Sequence, residues 1–262
     1  MKYLASDLDG TLFQHDRTIR KEDIEAILKF KEKGNKFIVS TGRGLEGIKE
    51  GLKNYPEVEY DYAIGCNGGI IVNNKNEVIY KNRISSDVAK LVFKELLKIE
   101  GILIHFDDED LGLRCEVERH DIDKRIQIEF PFDKLVERKA LVKKDSNYSM
   151  IALVVLNRDI KKAEEIKDLL IEKVGDRVEV YRNQFFVDIS PKGCSKGNGI
   201  KKLSELYDID IKDISVIGDS YNDLSMFEIT ESSYTFTYAE KEVQANANNI
   251  VENVAECINR II

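Results

Sequence analysis

The sequence predicts an α/β fold in which a parallel-sheet core is interrupted by a smaller α+β insert. Three observations carry this. Short β-rich runs alternate with helical stretches from residue 3 to residue 82, the alternation is lost over 83–186, and it resumes over 187–262. Such alternation builds βαβ units on a parallel sheet. The core is therefore expected in two pieces, 1–82 and 187–262, around an insert at 83–186. At 262 residues the chain is long for one core and short for two full domains, which suits one larger unit carrying a smaller one. With no low-complexity linker and no internal repeat, the junctions are expected to be short hinges near Asn82–Ser85 and Asn183–Ile189.

YLAS (3–6) is a short apolar run that ends at Asp7. RKEDIEAILKFKEKG (20–34) places Ile24, Ile27 and Leu28 at helical spacing and closes on Gly34, a helix-terminating residue. KFIVST (36–41) is β-rich, LEGIKEGLKN (45–54) helical, and DYAIGCNGG (61–69) a strand running into glycines. Residues 70–82 read as a hairpin. In the insert, 86–101 is an amphipathic helix with Val88, Leu91, Val92, Leu96 and Ile99 on one face. ILIHF and LGLRCEVE read as strands around an acidic DDED turn (107–110), and YSMIALVVLN (148–157) is a clear strand. Residues 158–175 form a helix with Ile160, Ala163, Ile166, Leu169 and Leu170 in register, and 177–190 a strand pair. Then follow helix 196–208, strand 213–220, a helix from Tyr221, strand SYTFTY and the closing helix ENVAECINRII.

Composition narrows the function classes. Hydrophobic residues at 42% and charged residues at 34% describe a globular chain. A net charge of −8 argues against a nucleic-acid surface, which needs a basic patch. Cys66, Cys115, Cys194 and Cys257 are scattered without CxxC pairs, so reduced thiols are expected and not disulfides or zinc. MKYLASDLDG has no apolar signal region and no stretch reaches membrane-spanning length, so a cytoplasmic protein without a membrane partner is expected.

The polar, glycine-rich segments fall after strands, at the edge where open α/β sheets bind ligands. DLDGT (7–11) sets Asp7 and Asp9 two positions apart, where extended backbone puts both carboxylates on one side. Their repulsion calls for a cation, and hard oxygen donors favour Mg²⁺; alone, such a pair is common by chance and reads more simply as a solvated loop or a helix cap. STGR (40–43) can offer a hydroxyl and bare N–H groups to an anion, or serve as a βα loop capped by Thr41. Lys196, in SKG (195–197), opposes the dipole of the helix it starts, which an anion partner would explain; the plainer reading is a Ser195 cap and a surface lysine. In GDSYND (218–223), Asp219 supplies another strand-end carboxylate, with Asn222 and Asp223 one turn on; Asp219 or Ser220 could instead cap that turn.

Taken together and in this order, the four motifs resemble those of the haloacid dehalogenase-like (HAD) hydrolases, over the whole chain. The insert between the second and third motifs resembles that of the Cof-like sugar-phosphate phosphatases. The fold implied is a Rossmann-like parallel-sheet core with an inserted α+β cap that closes over the site. The activity implied is Mg²⁺-dependent hydrolysis of small phosphomonoesters through an aspartyl-phosphate. Asp7 matches the nucleophile and Asp9 the general acid/base. Leu8, Thr41, Gly42, Lys196 and Asn222 match phosphate or substrate contacts, with Lys196 supplying the cation. Asp7, Asp219 and the backbone carbonyl of Asp9 match the metal ligands, and Asp223 a supporting position. The partner implied is a small phosphorylated metabolite, for a monomer or homodimer. Two further readings use the same motifs: a phosphomannomutase-like phosphotransferase, and a catalytically silent phospho-ligand binder.

Ser6, where relatives carry an apolar residue, is expected to stay out of the chemistry, and Asn67-Gly68-Gly69 varies a family Asn-Gly-Ala loop. His15, His105 and His120 are read as non-catalytic, Arg43 and Arg83 as surface ion pairs, DDED as a solvated turn, and Tyr181–Phe186 as core packing.

Overall fold

The strand–helix alternation builds an eight-stranded sheet with β1 (Tyr3–Ser6) at its centre. Parallel neighbours flank it: β11 (Ile214–Ile217) on one side and β2 (Lys36–Ser40) on the other. Beyond β11 lie β12 (Ser233–Phe236) and β13 (Asn249–Val251), and beyond β2 lies β3 (Tyr62–Gly65), all parallel. The hairpin β4 (Ile70–Asn73) and β5 (Val78–Lys81) closes the β3 side in antiparallel fashion. This computed structural model describes residues 1–14, 16–108, 112–116, 138–141 and 145–262. The central strands are almost wholly buried, which is why they read as unbroken apolar runs and not as alternating ones.

Contacts divide the chain into two units, Met1–Lys81 with Ser195–Ile262, and Asn82–Cys194. The second boundary falls later than 186/187. The reason is β10 (Phe186–Pro191), which pairs on one side with β8 (Tyr148–Val155) and on the other with β9 (Val178–Asn183). The segment read as a hinge, Asn183–Ile189, contains the turn of the β9–β10 hairpin and most of β10. With β6 (Ile102–Asp108) and β7 (Gly112–Glu116), these strands form an antiparallel sheet of order β7-β6-β8-β10-β9.

Helices α3 (Ser86–Leu96) and α4 (Ile160–Val174) pack on one face of that sheet. Val92, Phe93 and Leu96 from α3 meet Ala163, Ile166 and Leu170 from α4 over Ile151, Leu153, Val187 and Ile189. Phe93, Phe106 and Tyr148 stack edge to face with centroids 5.3–5.8 Å apart. The expected apolar stripes are each off by a position. Leu91 and Ile160 are exposed, and Phe93 and Val174 take core places.

In the core unit, α1 (Lys21–Glu32) ends before Gly34, whose φ of +81° matches its expected terminating role. The α1 stripe is also shifted: Ala26, Ile27 and Phe30 are buried while Leu28 is exposed. Buried Asp23 accounts for the shift. Its carboxylate accepts the backbone N–H of Ala255 at 2.7 Å, satisfying an otherwise unpaired donor at the start of α6 (Val254–Ile261). Helix α2 spans Leu45–Leu52, and α5 spans Lys196–Tyr207. The sequence reading missed β13 and the helical turn Lys241–Asn246, which lie in a polar stretch with little periodicity.

Among the described residues, no helix is long and apolar enough to cross a membrane. Cys66, Cys194 and Cys257 are buried and in no disulfide. His15, His120 and residues 109–110 of the DDED run lie outside the described residues. Of the aromatic stretch, the Phe185 and Phe186 rings lie against each other at a tilt of 32°, and the Tyr181 hydroxyl donates to the Cys194 carbonyl at 2.7 Å.

His105 on β6 has a buried Nε2 with no hydrogen-bond partner among the described residues, and burial pushes the imidazole down to about 4. The unfolded chain therefore binds more protons than the folded one between that value and the ordinary histidine value near 6.5. Stability of the second unit should fall as pH drops through this window. His105→Leu should show a smaller change in urea midpoint between pH 7 and pH 5 than the parent.

Candidate active site

Adjacent strand ends β11, β1 and β2 bring the four motifs together inside the core unit. Asp7 follows β1, and its N–H continues the sheet by donating to the Ile217 carbonyl at 3.0 Å. Thr41 follows β2, with its N–H on the Ile64 carbonyl at 2.9 Å. Asp219 follows β11, and Lys196 opens α5 behind the Ser195 cap, whose hydroxyl accepts the Asn198 N–H at 3.0 Å.

The centre of the site is a buried cation between two carboxylates. Lys196 Nζ donates to Asp7 Oδ1 and to Asp223 Oδ1, each at 2.6 Å. The three side chains are 0–4% exposed. Burial alone would push the ammonium down, but the Asp223 and Asp7 carboxylates outweigh it and hold Lys196 above its ordinary value. Lys196 is thus no surface lysine, and its place at a helix start is explained by its anionic partners. Asp223 Oδ2 in turn accepts the N–H groups of Asp219 and Ser220, both at 2.9 Å. Its carboxylate is therefore occupied on both oxygens.

Asp7, Asp219 and Asp223 bring carboxylate oxygens within 4.8 Å of one another. Burial pushes Asp7 well above the usual carboxylate range; Lys196 pulls it back, and Asp223, Asp219 and Asp9 push it further up. Asp219 is pushed up to about 7 by burial and by Asp223. One lysine does not neutralise three buried acids. A hard divalent cation fits this donor set, and with Asp223 engaged the oxygens left to hold it belong to Asp7 and Asp219. Asp9 does not join this carboxylate group; in the ligand set implied by the motifs it offers only its backbone carbonyl.

Asp9 faces a different environment. Its side chain is 44% exposed and gripped by Arg43, whose Nε and Nη2 donate to the two carboxylate oxygens at 2.7 and 2.5 Å. Arg43 is fixed in turn by Nη1 on the Gly47 carbonyl and by the Phe13 ring beneath the guanidinium. Arg43 is therefore part of the site, a correction to its reading as a surface pair. Nothing in a spacing of 34 residues announces that fork.

Sequence reasoning missed three more contacts. Thr11 Oγ1 donates to Asp219 Oδ1 at 2.8 Å. Tyr238 donates to the Gly10 carbonyl at 2.6 Å, its ring stacked on Phe236. Ser6 is not remote from the site, because its buried hydroxyl donates to the Asp7 carbonyl at 2.8 Å. Leu8 points a fully buried side chain into the core, so only its backbone could meet a ligand; its carbonyl already accepts the N–H groups of Thr11 and Phe13. Thr41 Oγ1 accepts the Arg43 N–H at 3.2 Å and keeps its own proton to donate. Gly42 is partly exposed beside it, and Asn222 is buried against Asn67.

Gly10 is required where it stands. Its φ is +82°, and a Cβ would lie 2.4 Å from Asp219 Oδ2. The glycine lets the distant carboxylate approach the DLDGT turn.

The haloacid dehalogenase-like hydrolase family model matches residues 4–258. The chain belongs to that family. A protein of Mycoplasma capricolum with no assigned activity is 30% identical over 97% of this chain and 98% of its own length. The 5-amino-6-(5-phospho-D-ribitylamino)uracil phosphatase YbjI of Escherichia coli is 24% identical over 100% of this chain and 96% of its own. A haloacid dehalogenase-like hydrolase from B. subtilis shares the fold at a TM-score of 0.85, 17% identity and complete coverage of both chains. These relatives support the Cof-like place that the motifs and the insert give this HAD hydrolase.

Two substitutions test the geometry. Lys196→Met should lower stability by about 3–5 kcal/mol by leaving Asp7 and Asp223 buried without their cation. Gly10→Ala should lower it by about 2 kcal/mol or more through the left-handed φ and the clash with Asp219. Urea denaturation followed by circular dichroism measures both.

Proposed function

We propose that this HAD hydrolase is a Mg²⁺-dependent phosphatase of small phosphomonoesters, sugar phosphates foremost, acting through an aspartyl-phosphate on Asp7. The observation that carries the reading is the contrast between the two aspartates of DLDG. Asp7 is buried against Lys196 and the other two carboxylates, whereas Asp9 is half-exposed on the Arg43 fork. Carboxylates in such different settings suit different tasks.

In the proposed reaction a carboxylate oxygen of Asp7 attacks phosphorus. The phosphorus–oxygen bond to the leaving group breaks as the acyl phosphate forms, and Asp9, once an oxygen is released from the Arg43 fork and has taken up a proton from solvent, passes that proton to the departing alkoxide. Asp9 then takes a proton from water, which attacks the acyl phosphate and returns Asp7 and inorganic phosphate. Lys196 offsets negative charge on Asp7 and the transferring group. Thr41 Oγ1 and the Gly42 N–H are offered to phosphate oxygens. Asp7 and Asp219, with the Asp9 carbonyl, would hold Mg²⁺, which when bound supplies positive charge that polarises the phosphoryl group. Thr11 keeps Asp219 oriented for that role.

The test is phosphate release from a panel of sugar phosphates with and without Mg²⁺. The parent should be active only with the metal, and Asp7→Asn should lose about a thousandfold or more in kcat. Full activity of that variant would sink the nucleophile assignment. Labelled phosphate passing to a second sugar hydroxyl, with little free phosphate, would replace the phosphatase reading by the mutase one.

A further inference from the structure

We infer that Asn67 is a positioning residue for this site. Its side chain sets the direction of the Asn222 amide, and the left-handed turn that carries it ties the Thr41–Arg43 loop to the start of α5. The effect on turnover rests on the phosphatase reading above.

The turn is costly to form. Cys66 and Asn67 both have positive φ, 52° and 49°, and Gly68 follows at 93°. Side-chain-bearing residues are held in this region only by their surroundings, and such strain gathers at functional sites. Cys66 and Asn67 are completely buried. On one side, the Cys66 N–H donates to the Arg43 carbonyl at 2.9 Å and the Asn67 N–H to the Thr41 carbonyl at 3.1 Å. On the other, Gly68 lies so near the cap of α5 that a Cβ would sit 2.2 Å from the Ser195 carbonyl oxygen. Three residues thus brace the loops that carry Thr41, Arg43 and Lys196.

The third link is made by side chains. Asn222 Nδ2 donates to Asn67 Oδ1 at 3.2 Å. That bond uses one of the two Nδ2 hydrogens and fixes the plane of the amide, so that Asn222 Oδ1 is held in one direction beside the second N–H. This oxygen is buried, on a residue 2% exposed, and has no hydrogen-bond partner among the described residues. A buried acceptor left unpaired is destabilising until a donor arrives. The oriented oxygen therefore suits a donor, a substrate hydroxyl or a water, and not a phosphate oxygen. Asn67 touches no reacting atom in this scheme; it acts through Asn222.

Glycine at 67 keeps the left-handed backbone and deletes only the side chain. Asn67→Gly should melt within about 4 °C of the parent. Its kcat for phosphate release should fall about tenfold with KM changed less than about threefold. In an Asn222→Ala background the same substitution should have no further effect. A readout free of activity accompanies these: the Asn222 side-chain NH₂ resonances, identified by their loss in Asn222→Ala. They should exchange with solvent at least about tenfold faster in Asn67→Gly than in the parent. Unchanged exchange, parental kinetics in Asn67→Gly, or a full additional loss in the Asn222→Ala background would each overturn the inference. If exchange quickens but the parent releases no phosphate from any ester, the positioning stands and the phosphatase reading fails.

Discussion

The site is organised around one buried ammonium. Lys196 Nζ lies 2.6 Å from both Asp7 and Asp223, and all three side chains are buried, so removing the lysine would leave both acids without their partner. The lysine starts α5, after the whole second unit in chain order, while Asp7 stands near the N-terminus. Forming this ion pair requires β1 and the start of α5 to meet, so the two halves of the core unit must assemble before the charges are satisfied. The pair also leaves an acidic remainder. Among the described residues Asp219 forms no ion pair, and it is held by the Thr11 hydroxyl. That remainder is what makes a divalent ion fit the same place.

The second constraint is backbone geometry at the strand ends. Parallel strands end on one edge, and each motif leaves its strand through a residue that can turn sharply or approach closely. Gly10 admits the Asp219 carboxylate, Gly68 admits the Ser195 carbonyl, and Gly218 abuts the Asp223 side chain. These contacts are shorter than any Cβ would tolerate, so the carboxylates crowd together because the residues beneath them have no side chain. The separation of Asp7 from Asp9 follows from the same crowding. The first is drawn into the packed centre, and the second turns outward to the guanidinium of Arg43.

The unit Asn82–Cys194 has a hydrophobic core of its own, in which α3 and α4 cover one face of an antiparallel sheet. Its strand β9, at one end of the sheet order, alternates buried and half-buried residues, whereas β8 in the middle is buried along its whole length and reads as an unbroken apolar run.

The α/β class, the interruption of the core and the four motif segments were legible in the sequence, because each rests on local patterning: apolar runs of strand length, helical spacing, and polar glycine-bearing loops after strands. The places of Asp7, Lys196, Asp219 and Asp223 as a set were legible through a shared motif order. Partner choice was not, since it depends on which side chains the folded backbone brings within hydrogen-bond distance. Arg43 on Asp9, Thr11 on Asp219, Tyr238 on the Gly10 carbonyl and Asn67 on Asn222 join residues 34 to 228 positions apart. The faces of α1, α3 and α4 were likewise decided by tertiary contacts, Asp23 turning inward to serve a helix at the far end of the chain. Local sequence determined which elements form and where they end; only packing decided which charges would share the buried centre, because burial and pairing are properties of the assembled sheet.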